Sequence, residues 1–160
     1  MSLLPPRSSL RSFAPAVALS LIAMFVGCKK PEAPAAHHHD APHGGTLVEL
    51  GEHEFNLEFV YDFDAECLNA FIFDAHASEY VRIPAERFQV VARMPAGDQL
   101  AEFTAVANTA TGETVGNTAQ FRAKADWLKS GVKFDGVLKS LEIRDKKYEN
   151  VAFKFPQFSQ

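Results

Sequence analysis

Residues 54–61 read EFNLEFVY, and the alternation within this stretch decides the fold class of the chain. Large apolar side chains fall at positions 55, 57, 59 and 61, whereas positions 54, 56 and 58 are polar. A period of two is typical of a β-strand that turns one face to a core and the other to solvent. We therefore predict a half-buried strand over residues 55–61, with the polar positions on its solvent side.

The same alternation recurs at intervals of about ten residues, between turn signals, along the rest of the chain. Further strands are predicted over residues 68–75, 79–83, 88–94, 103–108, 119–125, 137–143 and 151–155. Only residues 126–131 have the pattern of a helical turn, with Asp126 as N-cap and Gly131 just past the end. We expect an all-β domain, an antiparallel β-sandwich of the immunoglobulin-like type, with a small β-barrel as the alternative.

Composition indicates one folded domain that does not bind nucleic acid. The chain has 160 residues, 47% of them hydrophobic, and its fourteen Phe can fill a substantial core. Arg7 and Arg11 are the only charged residues before Cys28, so the remainder has 14 basic and 20 acidic side chains, a net charge of −6. Nucleic-acid phosphates require a basic surface, which this balance does not provide.

The first 27 residues predict an export signal. Arg7 and Arg11 give a basic start, and residues 14–26 are apolar apart from Ser20. This apolar run is too short to cross a hydrocarbon layer of about 30 Å, which takes about 20 helical residues. It has the length of the central segment of a signal peptide instead.

The apolar run ends at Val26-Gly27-Cys28, which resembles the lipobox of bacterial lipoproteins, although Phe25 stands where Leu is most usual. The resemblance implies that residues 1–27 are a lipoprotein signal peptide and that Cys28 is lipidated, anchoring the protein to a membrane. Lys29 is not an inner-membrane retention signal in that family, so a periplasm-facing position on the outer membrane is expected. The alternative is an ordinary secretory signal that contains a Cys.

A tether joins the anchor to the domain. We expect residues 28–45 to form the lipid anchor and a His-rich tether, because residues 29–36 have two prolines and no large apolar residue. Residues 46–156 then form the domain. Cys67 has no partner if Cys28 is lipidated, and it alternates in phase with Phe71 and Phe73. We predict a buried, unreactive thiol, with a thiolate metal ligand or a reactive thiol as the alternatives.

Histidines concentrate where the tether meets the domain, in the leader, residues 37–45, which read HHHDAPHGG. Neutral imidazole is the commonest side-chain ligand of Cu²⁺, Zn²⁺ and Ni²⁺, and a carboxylate can add an oxygen. We expect micromolar affinity, since ordering a tether costs about 1 to 2 kcal/mol per residue. The candidate metal ligands are His37, His38, His39, Asp40, His43 and His53.

Each histidine also has a structural interpretation. Residues 37–39 could be a solvated polar linker, and His43 could cap the edge of the domain beside the Gly44-Gly45 turn. His53 is in phase with the strand that follows and could pack at its end. His76 is interpreted as an ordinary loop residue.

Residues 42–51, PHGGTLVELG, followed by Phe55, Glu58 and Val60, resemble a loosely defined group of bacterial envelope proteins. Members carry a His-rich leader, a Pro-His-Gly-Gly motif and a small β domain, and many are lipoproteins. The resemblance, clearest over residues 37–75, implies heavy-metal binding, and a metal-efflux or other envelope protein as partner. This chain lacks the second His-rich tail of many members, which argues against a high-capacity metal store.

No enzyme class is indicated, because the sequence has no Gly-x-Ser-x-Gly, phosphate-binding loop, His-Glu-x-x-His or Cys-x-x-Cys. Asp62, Asp64 and Glu66 share a turn, but they lack the Gly and the distal Glu of a calcium-binding EF-hand loop. We expect a non-catalytic envelope lipoprotein that binds or hands on a transition metal through the leader. The alternative is an envelope interaction module without a metal function, using a sheet edge or the Phe-rich end.

Overall fold

The structure, a computed structural model, describes residues 39–156 of the chain. Its eight strands are β1 (Thr46–Leu50), β2 (Phe55–Asp62), β3 (Cys67–Asp74), β4 (Arg87–Met94), β5 (Gly97–Ala105), β6 (Gln120–Ala123), β7 (Phe134–Ile143) and β8 (Lys146–Phe155). All pairs are antiparallel, and the strands form one nearly closed, barrel-like sheet in the order β1-β2-β3-β6-β5-β4-β7-β8. The prediction of an all-β antiparallel domain is confirmed.

Alternation places one face of each strand in a shared core. Leu57 and Phe59 of β2 are fully buried, as the period of two predicts. Phe59 stacks on Phe153 of β8 with 4.7 Å between ring centroids, and Phe88 of β4 stacks on Phe103 of β5 at 4.9 Å. Every strand contributes buried apolar side chains to this core, and each fully buried Leu, Ile or Phe stabilises the fold by roughly 1.5 to 3 kcal/mol.

Side chains connect the two ends of the strand series. Glu54, in the turn between β1 and β2, accepts a hydrogen bond from the Tyr148 hydroxyl of β8 at 2.7 Å and pairs with Lys146. The rings of Phe55 and Tyr148 meet edge to face, with 6.1 Å between centroids. These contacts hold the first and last strands close to each other and leave the sheet nearly closed.

The Tyr148–Glu54 contact predicts a loss of stability at alkaline pH. Burial, together with the hydrogen bond to Glu54, raises the pKa of Tyr148 to about 12, above its ordinary value of 10.0. The folded state therefore holds this proton more tightly than the unfolded state. The resulting stability is complete below pH 10 and is lost as the pH rises through about 12.

We expect the free energy of unfolding of the wild-type protein to fall by roughly 1 to 3 kcal/mol across this window because of Tyr148. Urea denaturation at intervals from about pH 9 to about pH 12 measures it, with Tyr148→Phe as the matched variant. The variant is less stable at neutral pH and loses less stability over the same interval. Parallel curves for the two proteins would contradict the prediction.

The strand predicted over residues 79–83 is wrong, because this segment forms only isolated bridges at Tyr80 and Ile83. The segment changes partners midway: the Val81 N–H donates to the Ile72 carbonyl at 2.9 Å, whereas the Ile83 N–H donates to Thr118 at 3.0 Å. A ladder needs one continuous partner, so no strand forms. The segment instead crosses from β3 towards the chain just before β6.

The helical turn predicted over residues 126–131 is not formed. The segment is a pair of hydrogen-bonded turns, in which the Leu128 N–H donates to Ala125 and the Val132 N–H donates to Lys129. Gly131 has a φ of +76°, which ends any helical continuation. No helix within residues 39–156 is long and apolar enough to cross a membrane.

The buried positions of β7 change parity along the strand. Leu141 and Ile143 are buried, and so is Leu138, which has the opposite parity. The pairing with β8 passes over Lys139 and Asn150, and Asn150 has a φ of +55°. Such an irregularity shifts the side-chain phase of a strand, which a period-two reading cannot detect.

Candidate functional site

The candidate site is formed where residues 43–45 of the leader lie on the outer face of β2 and β3. Period two predicts solvent exposure for Asn56 and Glu58, and this is wrong, because they are only 2% and 0% exposed. Residues 43–45 and Tyr80 cover this face, and Glu58 is the contact point for the leader. The strand is therefore buried on both faces over residues 55–59.

Glu58 fixes the leader through three hydrogen bonds. Its Oε1 accepts from the backbone N–H groups of His43 and Gly45, both at 2.9 Å. Its Oε2 lies 2.7 Å from Nδ1 of His43. A buried carboxylate is costly unless its oxygens are satisfied, and these bonds supply donors to both oxygens. The Pro-His-Gly-Gly motif therefore closes around a carboxylate of the second strand.

The hydrogen bonds also assign the tautomer of His43. An ionised carboxylate only accepts, so Nδ1 carries a proton that it donates to Glu58. In the neutral ring, Nε2 then accepts from the Tyr80 hydroxyl, which lies 2.9 Å away. Burial, followed by the negative charges of Glu58 and Glu113, raises the pKa of Tyr80 and keeps its hydroxyl protonated as a donor. Both ring nitrogens of His43 are engaged.

Aromatic rings form the wall behind His43. Its imidazole stacks on Phe71 with 4.3 Å between centroids, and Phe73 and Tyr80 lie at 5.9 and 6.1 Å. Phe73 and Tyr80 stack on each other at 4.8 Å. Phe71 and Phe73 therefore pack outside the sheet, under the leader, although the sequence pattern alone gives no reason to expect a cover there.

His43 acts as a clamp in this arrangement. A metal ion on Nε2 would have to displace the Tyr80 hydroxyl, and Nδ1 is held by Glu58. Metal binding by His43 stays a prediction, and it would compete with these two bonds. The contacts of His43 therefore give the leader a fixed end on the sheet, with the His43 side chain 33% exposed.

Of the other predicted functional residues in the leader and the anchor, the structure describes only His39 and Asp40. His39 lies beside His76 of the connection after β3, with 5.8 Å between ring centroids and 72° between ring planes. Asp40 is exposed on the same segment. Cys28, His37 and His38 lie outside the described residues, so their roles remain predictions. His76 was interpreted as a loop residue, and only the folded topology brings it to the leader.

His53 does not join the leader histidines. It lies in the turn after β1 with a φ of +58°, and its Nδ1 pairs with Glu49 Oε1 at 2.7 Å. Within residues 39–156, no group of three or more His, Cys, Asp and Glu side chains is arranged to hold a metal ion. Within these residues His53 contacts neither His39 nor His43, and its role as a metal ligand stays a prediction.

Cys67 and Asp62 are two further residues that the sequence singles out for their chemistry. Cys67 is a free, fully buried thiol, and burial raises its pKa, as the prediction of an unreactive thiol requires. The Asp62 carboxylate accepts from the backbone N–H groups of Asp64 and Ala65, at 3.1 and 2.9 Å. This acidic turn is held by its own hydrogen bonds.

An apolar cavity of about 420 Å³ lies next to the leader. It is lined by Gly45, Phe59, Phe63, Lys129 and Phe155, among others. Phe63 is 70% exposed at its edge, which is unusual for a Phe. His43, Gly44 and Gly45 form one wall of this cavity, so it adjoins the residues that Glu58 holds.

Comparisons of the chain with models of protein families, with curated proteins and with solved structures find no match. The residues of the chain itself therefore carry the functional inference. These residues define an all-β domain with a His-bearing leader fixed to its outer face.

Proposed function

We propose that this protein is a non-catalytic envelope lipoprotein that binds or hands on Cu²⁺, Zn²⁺ or Ni²⁺ through its leader. One observation carries the proposal. Glu58 and His43 fix the leader on the sheet, and this leaves the His39 ring beside a second imidazole, with no hydrogen bond to either ring among residues 39–156. Neutral, unpaired imidazoles are the ligands that these ions prefer.

Docking of the leader favours binding by reducing its entropic cost. A free tether would have to be ordered on the ion, at about 1 to 2 kcal/mol for each residue fixed. His43 and Gly45 are already held by Glu58, and the Gly44 N–H donates to the Ala41 carbonyl at 2.9 Å. Only the histidines upstream of His39 then remain to be ordered by the metal, which is the advantage of preorganisation.

The proposed location follows from the lipobox resemblance. Cys28 is the acylated residue, and residues 29–38 connect it to the docked leader. A fully extended chain covers about 3.3 to 3.6 Å per residue, so this connection reaches roughly 35 to 40 Å. That length lets the domain face the periplasm, next to a metal-efflux or other envelope protein, while the acyl chains stay in the outer membrane.

We also propose that the sheet is a small barrel, the alternative architecture, in place of the immunoglobulin-like sandwich. A sandwich divides its strands between two sheets, whereas here each strand pairs with the next in a single series. The contacts of Glu54 with Tyr148 and Lys146 across the ends of the series support this choice.

Replacing His37, His38 and His39 together by Ala is expected to abolish metal binding and to leave the fold intact. The three side chains precede the clamp, so Glu58 keeps its three hydrogen bonds. Isothermal titration of Zn²⁺, Cu²⁺ and Ni²⁺ into the full-length protein in detergent measures binding, and the thermal midpoint should stay within about 2 °C of wild type. His53→Asn is the matched control.

Asn tolerates the positive φ of residue 53, so this control removes an exposed imidazole without backbone strain. It should bind metal like the wild type. Unchanged binding by the triple variant, or equal loss in the control, would contradict the assignment to the leader.

The alternative function, an interaction module without a metal role, is favoured by one observation. Phe63 is 70% exposed beside the apolar cavity of about 420 Å³, and exposed aromatic side chains mark many protein interfaces. Under this alternative, the histidine replacements would leave partner binding unchanged. In the Phe-rich end, Phe153 and Phe155 are buried in the core, and Phe158 lies outside the described residues.

A further inference from the structure

We infer that His76 is a ligand of the metal ion that the leader binds, and that it forms a two-imidazole site with His39. This inference rests on the proposed function, because it requires that the leader binds a metal. It adds a residue from the domain itself, so that the ion would join the leader to the connection after β3. The two rings lie with 5.8 Å between their centroids.

That separation fits two imidazoles that share one ion. Metal–nitrogen bonds to His are about 2.0 to 2.1 Å, which places the centroids of two ligating rings roughly 5 to 6 Å apart at ordinary bond angles. The observed 5.8 Å lies within this range. Small rotations of the two side chains would direct one nitrogen of each ring at a common point.

The backbone around His76 is held in place by a tight turn. The Asp74 carboxylate accepts from the Ser78 N–H at 2.8 Å and from the Glu79 N–H at 3.2 Å. The Ala77 N–H donates to the Asp74 carbonyl at 3.1 Å, and Ala77 has a φ of +54°. His76 is therefore presented from a fixed position on the domain, and it is exposed to solvent.

Both imidazoles are available for coordination. Neither ring has a hydrogen bond to another side chain among residues 39–156, in contrast to His43, whose two nitrogens are engaged, and His53, which pairs with Glu49. Two imidazole nitrogens suit Zn²⁺, Cu²⁺ and Ni²⁺ and disfavour Mg²⁺ and Ca²⁺. Asp40, directly after His39, is exposed and can supply a carboxylate oxygen.

The test compares single variants of the full-length protein in detergent by isothermal titration with Zn²⁺. We expect His76→Ala and His39→Ala each to raise Kd by about tenfold or more, since loss of even a supporting group costs about 10- to 100-fold in metal affinity. His53→Asn should leave Kd unchanged. His76→Gln repeats the test with a larger, polar side chain in case the Ala variant unfolds.

Ring NMR of ¹⁵N-labelled histidine gives a second readout. Addition of Zn²⁺ should shift the ring signals of His76 in the wild type, and His39→Ala should remove this shift. If the wild type binds Zn²⁺ but both His76 variants keep its affinity and the His76 signals stay unshifted, the two-imidazole site is overturned and the leader function stands. If the wild type binds no metal at all, the proposed function and this inference both fail.

Discussion

Replacing Glu58 by Ala is expected to lower the free energy of unfolding by roughly 3 to 5 kcal/mol. Glu58 is completely buried, and its carboxylate accepts from two backbone N–H groups and from the His43 ring. The substitution leaves the N–H groups of His43 and Gly45 without their acceptor and opens space under the leader. Thermal unfolding should show a midpoint lower by about 10 °C or more.

Two further variants separate the causes. Glu58→Gln keeps the shape and one acceptor oxygen but removes the charge, and we expect a smaller loss of roughly 1 to 2 kcal/mol. Glu49→Ala removes a carboxylate whose side chain is 42% exposed and which pairs with His53. Surface pairs contribute little, so the change should stay within about 0.5 kcal/mol. If Glu58→Ala and Glu49→Ala lowered the free energy of unfolding equally, the claim that the buried Glu58 carboxylate holds the leader would be contradicted.

Gly45→Ala is expected to destabilise the protein by about 3 kcal/mol or more, through a steric clash. A Cβ at this position would lie 2.4 Å from the Phe59 carbonyl oxygen and 2.7 Å from Val60 Cγ2. The carbonyl belongs to β2, whose register with β1 pairs Thr46 with Phe59, so it cannot retreat without disturbing that ladder. The start of β1 and the leader should separate from β2.

Gly44→Ala is the matched control for this prediction. No atom lies within 4 Å of a Cβ built there, and the only cost is a φ of +70°, about 1 to 2 kcal/mol. Urea denaturation compares the stabilities, and hydrogen exchange reports on the His43 and Gly45 amides that Glu58 protects in the wild type. If Gly45→Ala lowered the free energy of unfolding no more than Gly44→Ala does, the claim that Gly45 lies too close to β2 for a side chain would be contradicted.

The sequence pattern predicts the inner face of the sheet well and the outer face badly. Leu57 and Phe59 enter the core because the period of two and side-chain size suffice to decide which face is apolar. Glu58 has the parity of a solvent-facing residue, and its burial depends on contacts with residues 43–45 and on a cover that includes Tyr80. Such covers come from tertiary contacts, which local periodicity does not contain.

In the candidate site, too, the tertiary contacts could not be predicted from the sequence pattern. The Pro-His-Gly-Gly motif marks the place where the leader docks, and a structural role for His43 was one of the two interpretations that its sequence context allowed. Its partner in that role, Glu58, was assigned to the solvent face. His76 sits 37 residues after His39, and nothing in the chain between them indicates that the two rings meet.

The most direct test of the central claim is a titration of Cu²⁺, Zn²⁺ and Ni²⁺ into the full-length protein in detergent, at about pH 7.5 and again at about pH 5.5. Imidazole ligands must be neutral to bind, so protons compete with the metal at the lower pH. We expect one stoichiometric site of micromolar or tighter affinity for at least one of the ions, lost at the lower pH. Flat heats for all three ions at the higher pH would contradict a metal function of the leader.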